Sequence, residues 1–374
     1  MRKKLLHSKM MAVLAVILVL FLATGFAEEE RMDAGGLWKY VLEDGGAMIT
    51  GYEEEPSGDL VFPGELDGVP VTGIEKWTRG YVFLDSITIP DGVKSIGDNA
   101  FAGFNGLMGG VTLPDSLMSI GDRAFSGCAG LTSITIPEGV TSIGDEAFYL
   151  TSLSNVTIPE SVTHIGSLAF GCYYMRSVTI PAGVTSMGRN PFFESAVESI
   201  GVSPDNPAYE QIDGVLFDKR ENKLIAYPRV REGSYIIPEG TKEIGECAFY
   251  ASGGLTGVTV PDGVTGIGKE AFAGCYGLTS VILPDSVVSI GDNAFYDCLG
   301  LTGATIPNGV TSIGSGVFKH CRDLTSVILP AGVTDIGKDA FLGCEDIVIS
   351  VIKGSYAEQY VQENGIAYVL TDGL

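Results

Sequence analysis

Apolar and polar positions along most of the chain recur in one phrase of about 23 residues, clearest at residues 131–148, which read LTSITIPEGVTSIGDEAF. Proline closes the Ile/Val-rich run at Pro90, Pro114, Pro137, Pro159, Pro181, Pro238, Pro261, Pro284, Pro307 and Pro330, mostly 22 to 24 residues apart. Ten glycines, from Gly97 to Gly337, recur at one phase, each four residues ahead of a Phe. A fixed period of this length is the signature of a solenoid.

The letters of one unit predict its local structure. In Ser133-Ile134-Thr135-Ile136 apolar and polar residues alternate, as in a half-buried strand stiffened by β-branching, and Pro137 stops it. Val140 and Ile143 predict a second short extended stretch, which Gly144 turns. Asp145-Glu146-Ala147-Phe148 reads as one turn of helix, acidic at its start, that drops Ala and Phe inward. A single unit cannot cover its own apolar face, so stability comes from stacking. Phe101, Phe125, Phe148, Phe170, Phe192, Phe249, Phe272, Phe295, Phe318 and Phe341 are then expected to form one continuous buried spine.

The pattern LxxLxLP, followed by a Val, an Ile-Gly pair and AF-xx-C, resembles the BspA-like bacterial leucine-rich repeats over roughly residues 60–344. That resemblance implies an α/β-type but mostly β repeat solenoid, right-handed and curved, with a parallel sheet on its concave face. It also implies a secreted or surface-exposed chain used for adhesion or protein binding, without catalysis.

Residues 1–27 read as a signal peptide: Arg2, Lys3, Lys4 and Lys9, an apolar run from Met10 to Leu22, and small residues at Gly25 and Ala27. The apolar run is short for a bilayer span, so no membrane insertion is expected after cleavage. Residues 28–58 are expected to be an N-terminal cap, with a hairpin signal at Asp44-Gly45-Gly46. Residues 59–345 form the solenoid of about twelve repeats, irregular in the first, where Trp77 and Tyr81 replace the AF turn. Between Pro181 and Pro238 the period is broken, and phrases such as Val215-Leu216-Phe217 and Lys223-Leu224-Ile225-Ala226-Tyr227 predict a β-meander near residues 203–232. This excursion carries Lys219, Arg220, Lys223, Arg229 and Arg231, more simply read as strand-edge protection than as a docking spot. Residues 346–374 are the expected C-terminal cap, a helix begun by Ser355 and ended by Gly365, then a strand. In the P-x-G-V turn, glycine gives way to Ser116 and Ser161, so that turn is not expected to need positive φ.

Charge narrows the partners. The chain has 46 acidic and 23 basic residues, a net charge of −23, and loss of residues 1–27 removes four cations. Nucleic acid and anionic lipid are then poor partners, and no nucleic acid is expected. Many carboxylates fall in register, as do Asp98, Asp122 and Asp145, and are expected to make a solvated acidic face rather than a calcium ladder. Seven cysteines, an odd number, argue against complete pairing; Cys275, Cys298, Cys321 and Cys344 are spaced by 23, and small buried thiols fit better than a zinc site. No GxSxG, HExxH, P-loop or dinucleotide motif appears, so no catalytic residue, cofactor or metal is assigned.

Surface positions remain as candidates. Thr135, Thr157 and Thr179 belong to an outward hydroxyl row interrupted by Ile282 and Ile328, although threonine is also simply a good strand residue. Tyr149, Tyr173, Tyr174, Tyr250, Tyr276 and Tyr296 cluster near the turn after the Phe, where rigidly held loops present binding residues, or where tyrosines pack between turns. The function expected is a secreted or cell-surface binding protein, recognising a host or bacterial protein through the concave sheet and its tyrosine rim. A carbohydrate-binding or structural envelope role is the alternative.

Overall fold

The computed structural model describes residues 29–75 and 84–372; the expected signal peptide, Trp77 and Tyr81 lie outside the described residues. The chain is a mostly β solenoid of parallel sheets, with one short helix among the described residues. Each regular coil contributes to three lines of backbone contact. The first is a ladder of longer strands, such as Leu255–Thr259, Ser280–Ile282, Gly303–Thr305 and Ser326–Ile328, all parallel. The second is a ladder of two-residue strands, such as Ser289–Ile290, Ser312–Ile313 and Asp335–Ile336.

The third line corrects the expected turn of helix. Asn99, Arg123, Glu146 and Glu270, each two residues after the repeated glycine, have positive φ. A left-handed residue at that point breaks the helical i→i−4 pattern and leaves N–H groups facing the next coil. The Phe101, Phe125 and Phe272 N–H groups donate to the carbonyls of Ala124, Ala147 and Ala294, each at 2.8 Å. The acidic residues before these turns also bond forward. Asp98 Oδ1 accepts the Asp122 N–H at 2.8 Å, and Asp122 Oδ1 accepts that of Asp145 at 2.8 Å. The in-register carboxylates are therefore rungs of the stack as well as a solvated face. The repeated glycine is a matter of space: a Cβ on Gly166 would lie 2.3 Å from the Asp145 nitrogen.

Inside the coils the phenylalanines stack. Phe125 and Phe148 are 5.5 Å apart and nearly parallel, as are Phe272 and Phe295 at 5.2 Å. The spine is not continuous, however. It stops at Phe192 and resumes at Phe249, and the buried residues form two main clusters that meet at the meander. Leu216 and Ala226 face the first cluster while Val215, Phe217, Leu224 and Tyr227 face the second. The meander is thus no excursion but a coil rebuilt from antiparallel strands, Tyr209–Ile212, Val215–Asp218 and Lys223–Ala226. Tyr227 takes the place of the missing Phe: its N–H donates to Ala248 and its ring lies 4.8 Å from Phe249.

Two smaller expectations also change. The segment 133–136 is not a ladder strand: only an isolated bridge joins Ile134 to Val111. From Pro137 to Pro181 the coils have 22 residues, the missing residue falling between Phe and strand. In the P-x-G-V turn, Gly92 and Gly263 do have positive φ, whereas Gly139 and Gly183 do not. The glycines with positive φ are capped by a serine of the next coil: Ser116 Oγ accepts the Gly92 N–H and Ser286 Oγ that of Gly263, both at 2.9 Å.

At the N-terminal end, a hairpin of Trp38–Glu43 and Gly46–Tyr52 lays Trp38 5.1 Å from Phe62, and its second strand continues in parallel into Val69–Ile74. At the other end the helix Tyr356–Glu363, N-capped by Ser355, buries Ala357 and Val361. Strand Tyr368–Thr371 then adds to Val348–Ile352.

Candidate functional site

The break in the period produces a seam where backbone ladders give way to side chains. The long-strand ladder ends at Ser199–Val202 and restarts at Gly233–Ile236; the short-strand ladder ends at Ser186–Met187 and restarts at Lys223–Ala226. Asn190 Nδ2 donates to the Cys247 carbonyl at 2.7 Å, and Arg220 reaches the Thr185 carbonyl at 3.0 Å. Asn206 is buried and pins the meander: its Nδ2 donates to Pro181 and Val184, and its Oδ1 accepts from Ala208 and Tyr209.

The meander's cations are mostly engaged here. Arg220 pairs with buried Asp218 at 2.5 Å, a contact that holds the Asp218 carboxyl below its usual value although burial opposes this. Lys219 Nζ donates to the Asn206 carbonyl, and Lys223 bridges Glu243 at 2.8 Å. Arg231 donates to the Asp213 carbonyl, and Arg229 lies 4.8 Å over the Tyr173 ring. Turn and strand-edge bonding, not an open basic patch, is what these residues do.

The sequence-predicted tyrosines divide into two groups. Tyr149 and Tyr250 pack on Phe193, at 6.4 and 4.2 Å between ring centres, in a small cluster with Leu168 and Cys247 that closes the outer edge of the seam. Phe193 was not singled out from sequence, although the Phe192-Phe193 doublet is a departure from the repeat. Tyr173, Tyr174 and Tyr276 are exposed, by 51, 62 and 50 %. Tyr276 and Tyr173 come from opposite sides of the seam; burial, and then the charge of Asp297, push the Tyr276 phenol up. Tyr296 is half-buried, its ring edge-on to His320 at 5.7 Å. The seam thus gathers Tyr149 and Tyr250 around Phe193 and leaves Tyr173, Tyr174 and Tyr276 exposed.

The strand row is more dispersed. Thr135, Thr157 and Thr179 are exposed, but Thr135 and Thr157 lie outside ladder strands. Ile282 is 71 % exposed and Ile328 only half-exposed. Ile236, in register with Thr259 and Ile282 and 73 % exposed, is an apolar member of the same row that the sequence reading passed over.

The cysteines form a column without pairing. Each of Cys275, Cys298, Cys321 and Cys344 donates its thiol to the carbonyl of the Phe one coil earlier, at 3.0–3.1 Å. Burial pushes the Cys275 and Cys344 thiols up to about 12, so they are not nucleophiles at neutral pH. Cys247, out of phase in the sequence, occupies the left-handed turn position. Among the described residues no group of three or more metal-ligating side chains converges, and His164 and His320 lie on separate coils.

Residues 79–198 and 233–355, well over half of the chain, match the BspA type leucine-rich repeat region, in six copies. The chain belongs to that family. The two matched stretches stop on either side of the seam. A leucine-rich cell surface protein from Faecalibacterium prausnitzii has 31 % identity and a TM-score of 0.72, with 91 % of this chain and 98 % of that one covered. The pneumococcal vaccine antigen PcpA shares the fold at 23 % identity, with a TM-score of 0.76 over 92 % of this chain and 99 % of that one. A leucine-rich repeat protein from Eubacterium ventriosum does so at 24 % identity and 0.58, over 85 % and 77 %. No curated protein matches. Among the described residues of this BspA-type chain, no helix is long and apolar enough to cross a membrane.

Proposed function

We propose that this BspA-type chain is exported to the cell surface or medium and binds another protein through the tyrosine rim at the seam. One observation carries the reading: the adjacent Tyr173 and Tyr174 on one side of the seam and Tyr276 on the other are all exposed on a stiff scaffold. Tyrosine offers large contact area for two side-chain rotations, and a solenoid spares the loop-ordering cost of docking. Export is supported by the charged-then-apolar leader and by the relative from Faecalibacterium prausnitzii, which is a cell surface protein. A non-enzymatic role is supported by membership of the BspA-type family and by side chains at the seam that are committed to structure. The exposed Thr112, Thr157 and Thr179 hydroxyls favour glycan as the second reading.

The test is replacement of Tyr173, Tyr174 and Tyr276 together by Ser, followed by capture of surface proteins and a glycan array. Protein capture should fall to background while the circular dichroism spectrum and urea midpoint stay near those of the parent. Undiminished protein capture, or glycan binding in place of it, overturns the rim assignment.

A further inference from the structure

On the outward face of the long-strand ladder beyond the seam, apolar residues return at every second strand. Backbone register sets Ile236 beside Thr259 and Thr259 beside Ile282; from Thr305 on the next strand it runs to Ile328, Ser350 and Val369. Ile236, Ile282 and Val369 are exposed and Ile328 is half-exposed, with a hydroxyl residue on each strand between them. Two residues earlier along the same strands stand Ser234, Gly257, Ser280, Gly303 and Ser326, so the isoleucines border a trough of small side chains. In the first half of the solenoid the same position of the repeat is threonine in five successive coils, at Thr88, Thr112, Thr135, Thr157 and Thr179. Threonine forms strands well and meets water better, so strand formation alone does not call for isoleucine here.

The spacing of the row selects what lies on it. Strands of a ladder are about 4.8 Å apart, so the apolar residues recur at about 9.6 Å. Side chains on one face of an extended peptide recur at about 6.8 Å, whereas residues seven apart in an α-helix recur at about 10.5 Å. The helical mismatch, about 1 Å per repeat, is small enough for the three isoleucines to absorb. Charge then selects which helix. Glu239, Asp262 and Asp285, each just past the proline that closes its strand, are exposed along one border of the row, and among the described residues no ion pair holds them. Lys242 reaches one of these turns, its Nζ 3.1 Å from where a Gly263 Cβ would stand, and three acids to one lysine leave the border acidic. A second copy of the chain would bring the same acids and a net charge of −23 to the contact, so self-pairing along the row is disfavoured.

We propose that the row of Ile236, Ile282 and Ile328 docks an amphipathic helix of a partner protein, with apolar residues seven apart on its buried face and lysine or arginine on the flank that meets Glu239, Asp262 and Asp285. None of the rim tyrosines belongs to this surface, so it stands or falls separately from them.

The test is fluorescence anisotropy of the protein with a labelled three-heptad peptide of that pattern, beside a scrambled peptide of the same composition and a version with a central proline. The patterned peptide should bind and gain helical circular dichroism, and the other two should bind at least tenfold more weakly, since one loses the apolar face and the other the helix. Ile236→Thr with Ile282→Thr, which turns this row into the threonine row of the other half, should weaken binding by roughly tenfold, and Glu239→Gln with Asp262→Asn by roughly fivefold, with urea midpoints unchanged. Matched changes elsewhere should alter affinity less than about twofold: Met118→Thr with Val288→Thr, exposed beside two-residue strands, and Asp115→Asn with Glu138→Gln, exposed at the same turn in the threonine half. Equal binding of the scrambled peptide, or an equal loss in either matched pair, would mean diffuse attraction to an acidic chain and overturns the proposal. Equal binding of the proline peptide would replace the helix by an extended segment and overturns it as well, as do undiminished binding by the isoleucine variant and absence of binding by the patterned peptide.

Discussion

The stack between Val264 and Phe341 and the seam between Ser186 and Leu255 solve the same problem in opposite ways. In the stack every coil repeats the contacts of the last: Phe on Phe, thiol to carbonyl, two-residue strand to two-residue strand. The buried contacts there do not distinguish one coil from its neighbour, so the coils differ only in surface side chains such as Ile282, Thr305 and Ile328. At the seam the backbone ladders stop, and Asn190, Asn206, Phe193 and Arg220 replace them with individual contacts. Packing is also less complete there. Arg229 Nε, Tyr235 Oη and Ser252 Oγ are buried without a hydrogen-bond partner among the described residues, and all three lie in or beside the first coil beyond the meander. The regular stack makes the molecule stiff; the irregular coil makes one place on it unlike the rest.

The largest expected effect tests the stack. Phe295 is fully buried between Phe272 and Phe318, so Phe295→Ala should cost roughly 3–5 kcal/mol through the cavity it leaves. Because the buried residues fall into two main clusters, amide exchange should accelerate over residues 233–351 and remain near parent values over residues 93–180. Uniform acceleration along the chain would show that the seam transmits stacking as fully as a regular coil.

Asn206→Ala addresses the seam directly. Its amide satisfies two backbone carbonyls and two backbone N–H groups, all poorly placed to find water once it is gone. A loss of roughly 2–4 kcal/mol is expected in urea unfolding, confined by exchange to residues 180–227 and their neighbours. A loss below about 0.5 kcal/mol would mean that the meander holds its place through apolar packing alone.

These contrasts explain what could be read in the sequence. Repeating Pro, Gly and Phe made the solenoid legible because each marks a contact repeated many times, and the Gly166 Cβ position shows why the glycine is fixed. The turn of helix was misread because Asp-Glu-Ala-Phe has good helix formers, while the left-handed residue is set by the next coil's carbonyls, which a single unit does not contain. The tyrosines near the turn were visible as a row, but their gathering was not. Tyr149 and Tyr250 meet on Phe193 because a 57-residue gap between Pro181 and Pro238 is filled by a coil that lacks a stacking Phe. Asn206 carries no repeat phase and so gave no signal, and Phe193 gave only the doublet with Phe192.

Alkali should find the buried thiols before acid finds anything comparable. Cys128, Cys172, Cys247, Cys275 and Cys344 are pushed up to about 12 by burial, as are the phenols of Tyr235 and Tyr250. The folded chain holds these protons after the unfolded chain, with thiols near pKa 8.5, has begun to release them. Their contribution to stability is therefore complete below about pH 8.5 and declines as pH rises towards 12. Urea midpoints should fall across that window. Native alkylation at pH 8 should be slow, and five or more cysteines should react once the chain is denatured without reductant. Prompt alkylation of the native protein would place the thiols outside the core, and two or three disulfides would break the column described.

The smallest effect sharpens the comparison from the other side. Thr305 stands on a regular long strand, paired with Ile328 and exposed to solvent. Thr305→Ala removes β-propensity and a few surface contacts, but opens no cavity and strands no buried polar group. It should cost less than about 0.5 kcal/mol, several-fold less than Phe295→Ala in the same part of the stack. The ratio matters more than either number, since both variants sit in coils of the same shape and differ only in which way the side chain points. Comparable urea midpoints for the two would mean that the threonine row is packed rather than presented, and would remove the strand face from any account of what this surface meets.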